Sequence, residues 1–220
     1  AGSGVLEATV NCPTDPVTSQ MDSIGQDRFK LVFVPRCNHP HDIAFKFNGN
    51  VVPGSPYKCY ISDASQAQAR GDGLDRVPIK TPSSFVIDTS RAGNGDVVTI
   101  ITSPSGRNIP CRLSHQGTLY DAEYVPLEVG DHQIDIHFDQ QPIPGSPFHC
   151  HVYDVSGVRI REIPQGRVGK TVQVEVDTSL AGRGSLQGNV SVLRNPVASN
   201  LSSLDSDRYL MTFVPQSVDP

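Results

Sequence analysis

Tryptophan is absent from the chain, methionine occurs only twice, and aromatic residues make up 6 % of it. A core pinned by a buried indole is therefore ruled out. No apolar stretch approaches the roughly 18 residues that a membrane-spanning helix requires. The longest, Val97 to Ile101, is interrupted by Thr99, and direct membrane insertion is not expected. Positive charge is sparse as well: Lys+Arg 18 against Asp+Glu 23 leaves a net charge of −5. Phosphate contacts need concentrated Lys and Arg, so nucleic acid is not an expected partner. The five cysteines are an odd number, which argues against a secreted disulfide framework and for reduced thiols in a cytosolic protein. Ala1-Gly2-Ser3-Gly4 has neither the charged start nor the apolar centre of a signal peptide.

Turn formers, by contrast, are abundant. Nineteen glycines and eighteen prolines are spread among Val- and Ile-rich segments, a pattern of many short strands. They also fall into a repeat. Ala1-Gly2-Ser3-Gly4 recurs as Ala92-Gly93-Asn94-Gly95 and as Ala181-Gly182-Arg183-Gly184. Phe33-Val34-Pro35 recurs as Tyr124-Val125-Pro126 and Phe213-Val214-Pro215 at the same spacings of 91 and 89 residues. Pro53-Gly54-Ser55-Pro56 matches Pro144-Gly145-Ser146-Pro147, and Ile87-Asp88-Thr89-Ser90 matches Val176-Asp177-Thr178-Ser179. A unit of about 90 residues is too long for a helical solenoid repeat and fits one β-sandwich.

Residues 64–155 supply every element of such a unit. A first strand is expected within Val77 to Lys80. Further strands are read at Phe85 to Asp88, Val97 to Thr102, Ile109 to Leu113, Tyr120 to Tyr124, Gln133 to Phe138 and Phe148 to Tyr153. Alternation places His132, Ile134, Ile136 and Phe138 inward, against Gln133, Asp135 and His137. The fold class is all-β: tandem, seven-stranded, immunoglobulin-like sandwiches. Residues 1–63 read as a unit without its first two strands, and residues 156–220 as one without its last two. An antibody-type domain would carry a Trp and an inter-sheet disulfide. Here the expected second and sixth strands have no cysteine, so cohesion must come from apolar packing.

This pattern resembles the immunoglobulin-like repeat of the filamin family. The residues that carry the resemblance are Phe85-Val86-Ile87-Asp88-Thr89, Ala92-Gly93-Asn94-Gly95, Ser103-Pro104-Ser105, Tyr120 to Pro126 and Ile143 to Phe148. The resemblance implies a cytoplasmic, cytoskeletal rod segment of an actin-crosslinking scaffold, with no enzymatic activity and no cofactor. Actin would be reached through a domain outside this fragment. It further implies that receptor-tail or other cytoplasmic peptides join a repeat as an extra strand, in a groove between the third and fourth strands. Two alternatives carry similar repeats: a tandem adhesion ectodomain, and a tripartite-motif ubiquitin ligase.

The residues favour one copy as the peptide-binding one. Outward positions of the third strand are Glu7 and Thr9 in the first unit and Gln187 and Asn189 in the third, as solvated positions require. The middle unit instead places Val98 and Ile100 there, with Ile109 and Cys111 on the adjoining strand. An exposed apolar strip beside an open strand edge suits β-augmentation. Val98, Ile100, Ile109 and Cys111 are therefore expected to form the floor of a partner-peptide groove, and Val158 to Ile163 is the neighbouring segment that would compete to cover it. Other clusters read as structural. Cys37-Asn38-His39-Pro40-His41 and His149-Cys150-His151 look like ligand sets, but His41 matches His132 across units, where a packing role is expected. His137, His149 and His151 would share a solvated face, and no metal site is assigned. Cys59 and Cys150 correspond and are expected to pack inward as small hydrophobes. No Gly-x-Ser-x-Gly elbow occurs, and the repeated Pro-Gly-Ser-Pro serines read as turn residues.

Overall fold

The structure is a computed structural model that describes residues 4–192 and 194–216. Ala1, Gly2 and Ser3 of the first Ala-Gly-x-Gly landmark lie outside the described residues. Regular structure is strand throughout, apart from three short 3-10 turns. The first unit holds β1 (Leu6–Asn11), β2 (Ser19–Gly25), β3 (Arg28–Phe33), β4 (His41–Phe47), β5 (Asn50–Val51) and β6 (Tyr57–Cys59). The middle unit runs β7 (Gln68–Arg70), β8 (Arg76–Pro78), β9 (Ser83–Asp88), β10 (Val97–Thr102), β11 (Asn108–Ile109), β12 (Cys111–Gln116), β13 (Leu119–Tyr124), β14 (Gly130–Phe138), β15 (Gln141–Pro142) and β16 (Phe148–Tyr153). The third holds β17 (Arg159–Ile160), β18 (Val172–Asp177), β19 (Val190–Val192), β20 (Asn195–Val197), β21 (Ser199–Ser203) and β22 (Arg208–Phe213).

In the middle unit two sheets face each other: β11-β10-β14-β16-β8, with β15 beside β14, and β12-β13-β9-β7. All neighbours are antiparallel except β8 and β16. Alternation fills the space between the sheets. Phe85 and Ile87 from β9, Ala122 and Tyr124 from β13, Ile134, Ile136 and Phe138 from β14, and Cys150 and Val152 from β16 are all buried in one cluster. His132 is buried with them, as its place in the inward row requires. This two-sheet arrangement is the immunoglobulin-like sandwich.

Two readings are corrected. The first strand is not one segment at Val77 to Lys80. It is split: β7 pairs with β9 in one sheet and β8 with β16 in the other. The crossing occurs at Gly71, whose φ of +134° suits glycine and where a Cβ would sit 3.0 Å from the Phe85 backbone. A 3-10 turn, Asp72 to Leu74, completes it, and the Tyr124 hydroxyl donates a buried 2.7 Å hydrogen bond to the Gly73 carbonyl. Burial, and after it the neighbouring Cys150 sulfur, push the Tyr124 phenol far above its ordinary pKa, so it remains a donor. The expected strand Ile109 to Leu113 is likewise two. Pro110 has no amide to donate, so Asn108 and Ile109 pair with β10, whereas Cys111 onward pairs with β13 in the opposite sheet.

The outer units repeat parts of this plan. β1 pairs with β4 as β10 does with β14, and β2 with β3 as β12 does with β13. In the third unit the segment aligned with β10, Leu186 to Val190, is not a strand. β19 begins only at Val190 and pairs with β20. The junctions between units are built alike. The Asp63 amide donates to the Ala92 carbonyl and the Asp154 amide to the Ala181 carbonyl, at 2.8 and 2.9 Å. Each aspartate also accepts the amide of a serine two residues on, Ser65 or Ser156. The large buried cluster belongs to the middle unit; β2 and β3 of the first unit leave Ile24, Phe29 and Val32 exposed.

Two outcomes follow. Residues 64–155 expressed alone should unfold in one cooperative transition, and limited proteolysis of the whole chain should cut the outer units first; loss of the middle unit before the ends would contradict this. Tyr124→Phe strands the buried Gly73 carbonyl and should cost about 1–3 kcal/mol in denaturant unfolding, with the fold retained.

Candidate functional site

β10 owes its place to its two sides. One side is fully paired with β14, from Val97 opposite Phe138 to Thr102 opposite Gln133. On the other, only Ile101 and Thr102 are paired, with Ile109 and Asn108. The backbone of Val97–Ile100 thus has no strand neighbour there among the described residues. β17 pairs with β18 inside the third unit, so the Val158 to Ile163 segment expected to compete for this edge is engaged elsewhere.

Side chains alternate across the edge. Ile101 is buried, and Val97 and Thr99 are half-buried, facing the other sheet. Val98 and Ile100 face solvent, 49 % and 44 % exposed, beside their cross-strand partners His137 and Asp135. Ile109 lies opposite the inward Ile101, and Cys111 opposite the buried Tyr124; both are half-buried and pack on the core. The four residues therefore do not make one floor. Val98 and Ile100 lie on the outer face of their sheet, while Ile109 and Cys111 face the slot between the sheets, because opposite partners in an antiparallel ladder point to the same face. Burial raises the Cys111 thiol above its ordinary pKa, keeping it neutral. The slot also receives Thr99, whose buried Oγ1 has no hydrogen-bond partner among the described residues. Thr99 was visible in the sequence as the one polar residue of an inward apolar row. An added strand along Val97–Ile100 would place alternate side chains over Val98 and Ile100 and into the slot.

The remaining candidates resolve into structure. His41 and His132 are fully buried; their Nδ1–H groups donate to the carbonyls of His39 and Gly130 at 2.8 and 3.2 Å. Ser55 and Ser146 Oγ each accept a strand amide, from Phe45 and Ile136, at 2.9 Å. That is a turn role. His151 Nδ1 meets Asp131 Oδ1 at 2.6 Å, and Arg183 of the third unit approaches the same carboxylate at 3.5 Å. The hydrogen bond from His151, then the charge of Arg183, hold the Asp131 carboxyl below the usual carboxylate range. Cys150 is buried as expected, whereas Cys59 is half-buried. One cysteine reading is overturned: Cys12 and Cys37 are joined as a disulfide rather than free. The pairing of β1 with β4 brings together the loops that carry them, across 25 residues of sequence.

Comparison with known proteins agrees with this architecture. Residues 61–149 match the filamin family profile described as "Filamin/ABP280 repeat". Filamin-C of Rattus norvegicus and of Mus musculus are each 33 % identical over 199 residues, 85 % of this chain. Filamin-A of Drosophila melanogaster is 34 % identical over 152 residues, 66 % of this chain. The chain spans 7 % of the length of each of these relatives. Among solved structures, the Lin-41 filamin domain is similar at a TM-score of 0.37 and 16 % identity, covering 41 % of this chain and 95 % of that one. With its matched repeat, its curated relatives and three registers of one sequence pattern, the chain belongs to the filamin family.

Proposed function

We propose that the chain is a cytoplasmic rod segment of an actin-crosslinking scaffold, and that its middle unit takes partner peptides by β-strand addition along β10. The observation that carries the reading is the unpaired backbone of Val97–Ile100 beside two solvent-facing apolar side chains. Backbone bonding at such an edge supplies affinity, and side-chain pockets on either side supply selectivity. Natural proteins usually block edges of this kind with charge or proline. In the first unit Glu7 and Thr9 stand at the corresponding positions of β1, so the middle unit is the receptive one. The partner class is an extended segment with alternating apolar residues, such as the cytoplasmic tail of a membrane receptor. Actin would be engaged by a domain elsewhere in the protein.

A second reading, a tandem of extracellular sandwiches, is favoured by one observation, the Cys12–Cys37 bridge, since disulfides persist in oxidising compartments. Alkylation of unreduced, denatured protein from its native source, read by mass on the peptides that carry Cys12 and Cys37, separates the two. Both labelled as free thiols supports the cytoplasmic reading, and both protected until reduction the extracellular one.

The groove itself is tested with a panel of receptor-tail peptides on isotopically labelled chain. Bound peptide should shift the amides of Val97–Ile100. Val98→Asp with Ile100→Lys should weaken binding about 100-fold, the equivalent of roughly 3 kcal/mol of lost apolar burial, and should leave the unfolding midpoint within a few degrees of the parent. Undiminished binding by the double variant would refute the site.

A further inference from the structure

The first unit carries a donor set that the filamin reading leaves unused. Cys12 lies just beyond β1 and Cys37 just before β4, and a ring nitrogen of the fully buried His41 lies within 4.8 Å of both sulfurs. His41 Nδ1 is committed as a donor to the His39 carbonyl, so Nε2 carries the free lone pair, and it has no partner among the described residues. The middle unit serves as an internal comparison. His132 keeps the same ring orientation and the same unpartnered Nε2, but the positions matching Cys12 and Cys37 are Ser103 and Glu128. There the two loops are held by hydrogen bonds from Ser105 to Glu128 and by the Arg107–Glu128 ion pair. The first unit has two sulfurs beside an imidazole where the middle unit has a polar clasp.

We propose that Cys12, Cys37 and His41, in the dithiol state, form a zinc site, and that the disulfide is its metal-free oxidised form. Reduction by a dithiol gives two protein thiols, each taking a proton, while the reductant leaves as its cyclic disulfide. Zn2+ then displaces both thiol protons, and His41 enters as a neutral ligand through Nε2. Two thiolates cancel the charge of the ion, which suits a site half-withdrawn from water. Thiolate and imidazole are the donors that zinc selects, at about 2.3 Å for sulfur and about 2.0 Å for nitrogen. The two sulfurs and a ring nitrogen of His41 already lie within 4.8 Å of one another, so the three side chains are close enough to share one ion. The Nδ1–H bond to His39 is the outer hydrogen bond that orients a metal-bound histidine. The fourth position falls to solvent.

The test uses the whole chain, reduced and free of oxygen, titrated with Co2+ as a spectroscopic probe and then with Zn2+. One equivalent of Co2+ should bind, with thiolate-to-metal absorption in the near ultraviolet, and Zn2+ should displace it. Cys12→Ser, which installs the residue of the middle unit, and Cys37→Ser should each weaken binding at least about tenfold, while the resonances of the middle unit stay unchanged. The ring nitrogen signals of His41 should move when Zn2+ is added to the parent chain, and those of His132 should not. Absence of Co2+ uptake by the reduced chain would overturn the site. So would full absorption in both serine variants, which would put the ion on Cys59, Cys111 or Cys150; binding without a shift at His41 would remove the histidine from it. Peptide binding at β10 is read separately, so failure of the metal site leaves that proposal intact.

Discussion

Backbone pairing to β14 is the constraint from which the rest of the molecule follows. β14 has a long neighbour on each side, β10 and β16, as β13 has in the facing sheet, and its inward row, from His132 to Phe138, is fully buried. In the first unit β4 fills the same place between β1 and β6. The register between β10 and β14 runs unbroken from Val97 opposite Phe138 to Thr102 opposite Gln133, so every residue of β10 is held on that side. The same dependence defines the candidate site, because β10 is an edge only by virtue of having spent its other side on β14.

Cohesion between the sheets is apolar, without the indole or the inter-sheet bridge of antibody-type domains. Phe85 and Tyr124 meet edge to face at 6.3 Å, and the Tyr124 hydroxyl spends its bond on the strand crossing at Gly73. Phe33 and Phe213 hold the corresponding places in the outer units and have no such hydroxyl. Ring and hydroxyl thus divide the labour: the ring fills the core, and the oxygen fixes where the chain changes sheets.

Much of this was legible in the sequence because it is local or repeated. Val97 to Thr102 could be read as β10 from its apolar and β-branched run, and the inward row of β14 from strict alternation. The repeated Pro-Gly-Ser-Pro turn announced itself by recurring, although the acceptor role of Ser55 and Ser146 required the fold. What escaped was non-local. β7 and β8 are three residues each, too short for a period to register, and Pro110 divides a segment whose halves choose different sheets. The facing of Ile109 depends on its partner Ile101, not on its own neighbours. Cys12 and Cys37 meet only because β1 and β4 pair.

The parallel pair of β8 and β16 bears on how the middle unit would carry load. β8 lies near the start of that unit and β16 at its end, joined through His151 with Arg76, Val152 with Val77 and Tyr153 with Pro78. A pull on the two ends of the unit acts along these parallel strands in opposite senses. Their hydrogen bonds are then sheared together instead of being peeled one after another as in a hairpin. Three residue pairs become a mechanical latch, reached once the short β7 has been drawn off β9.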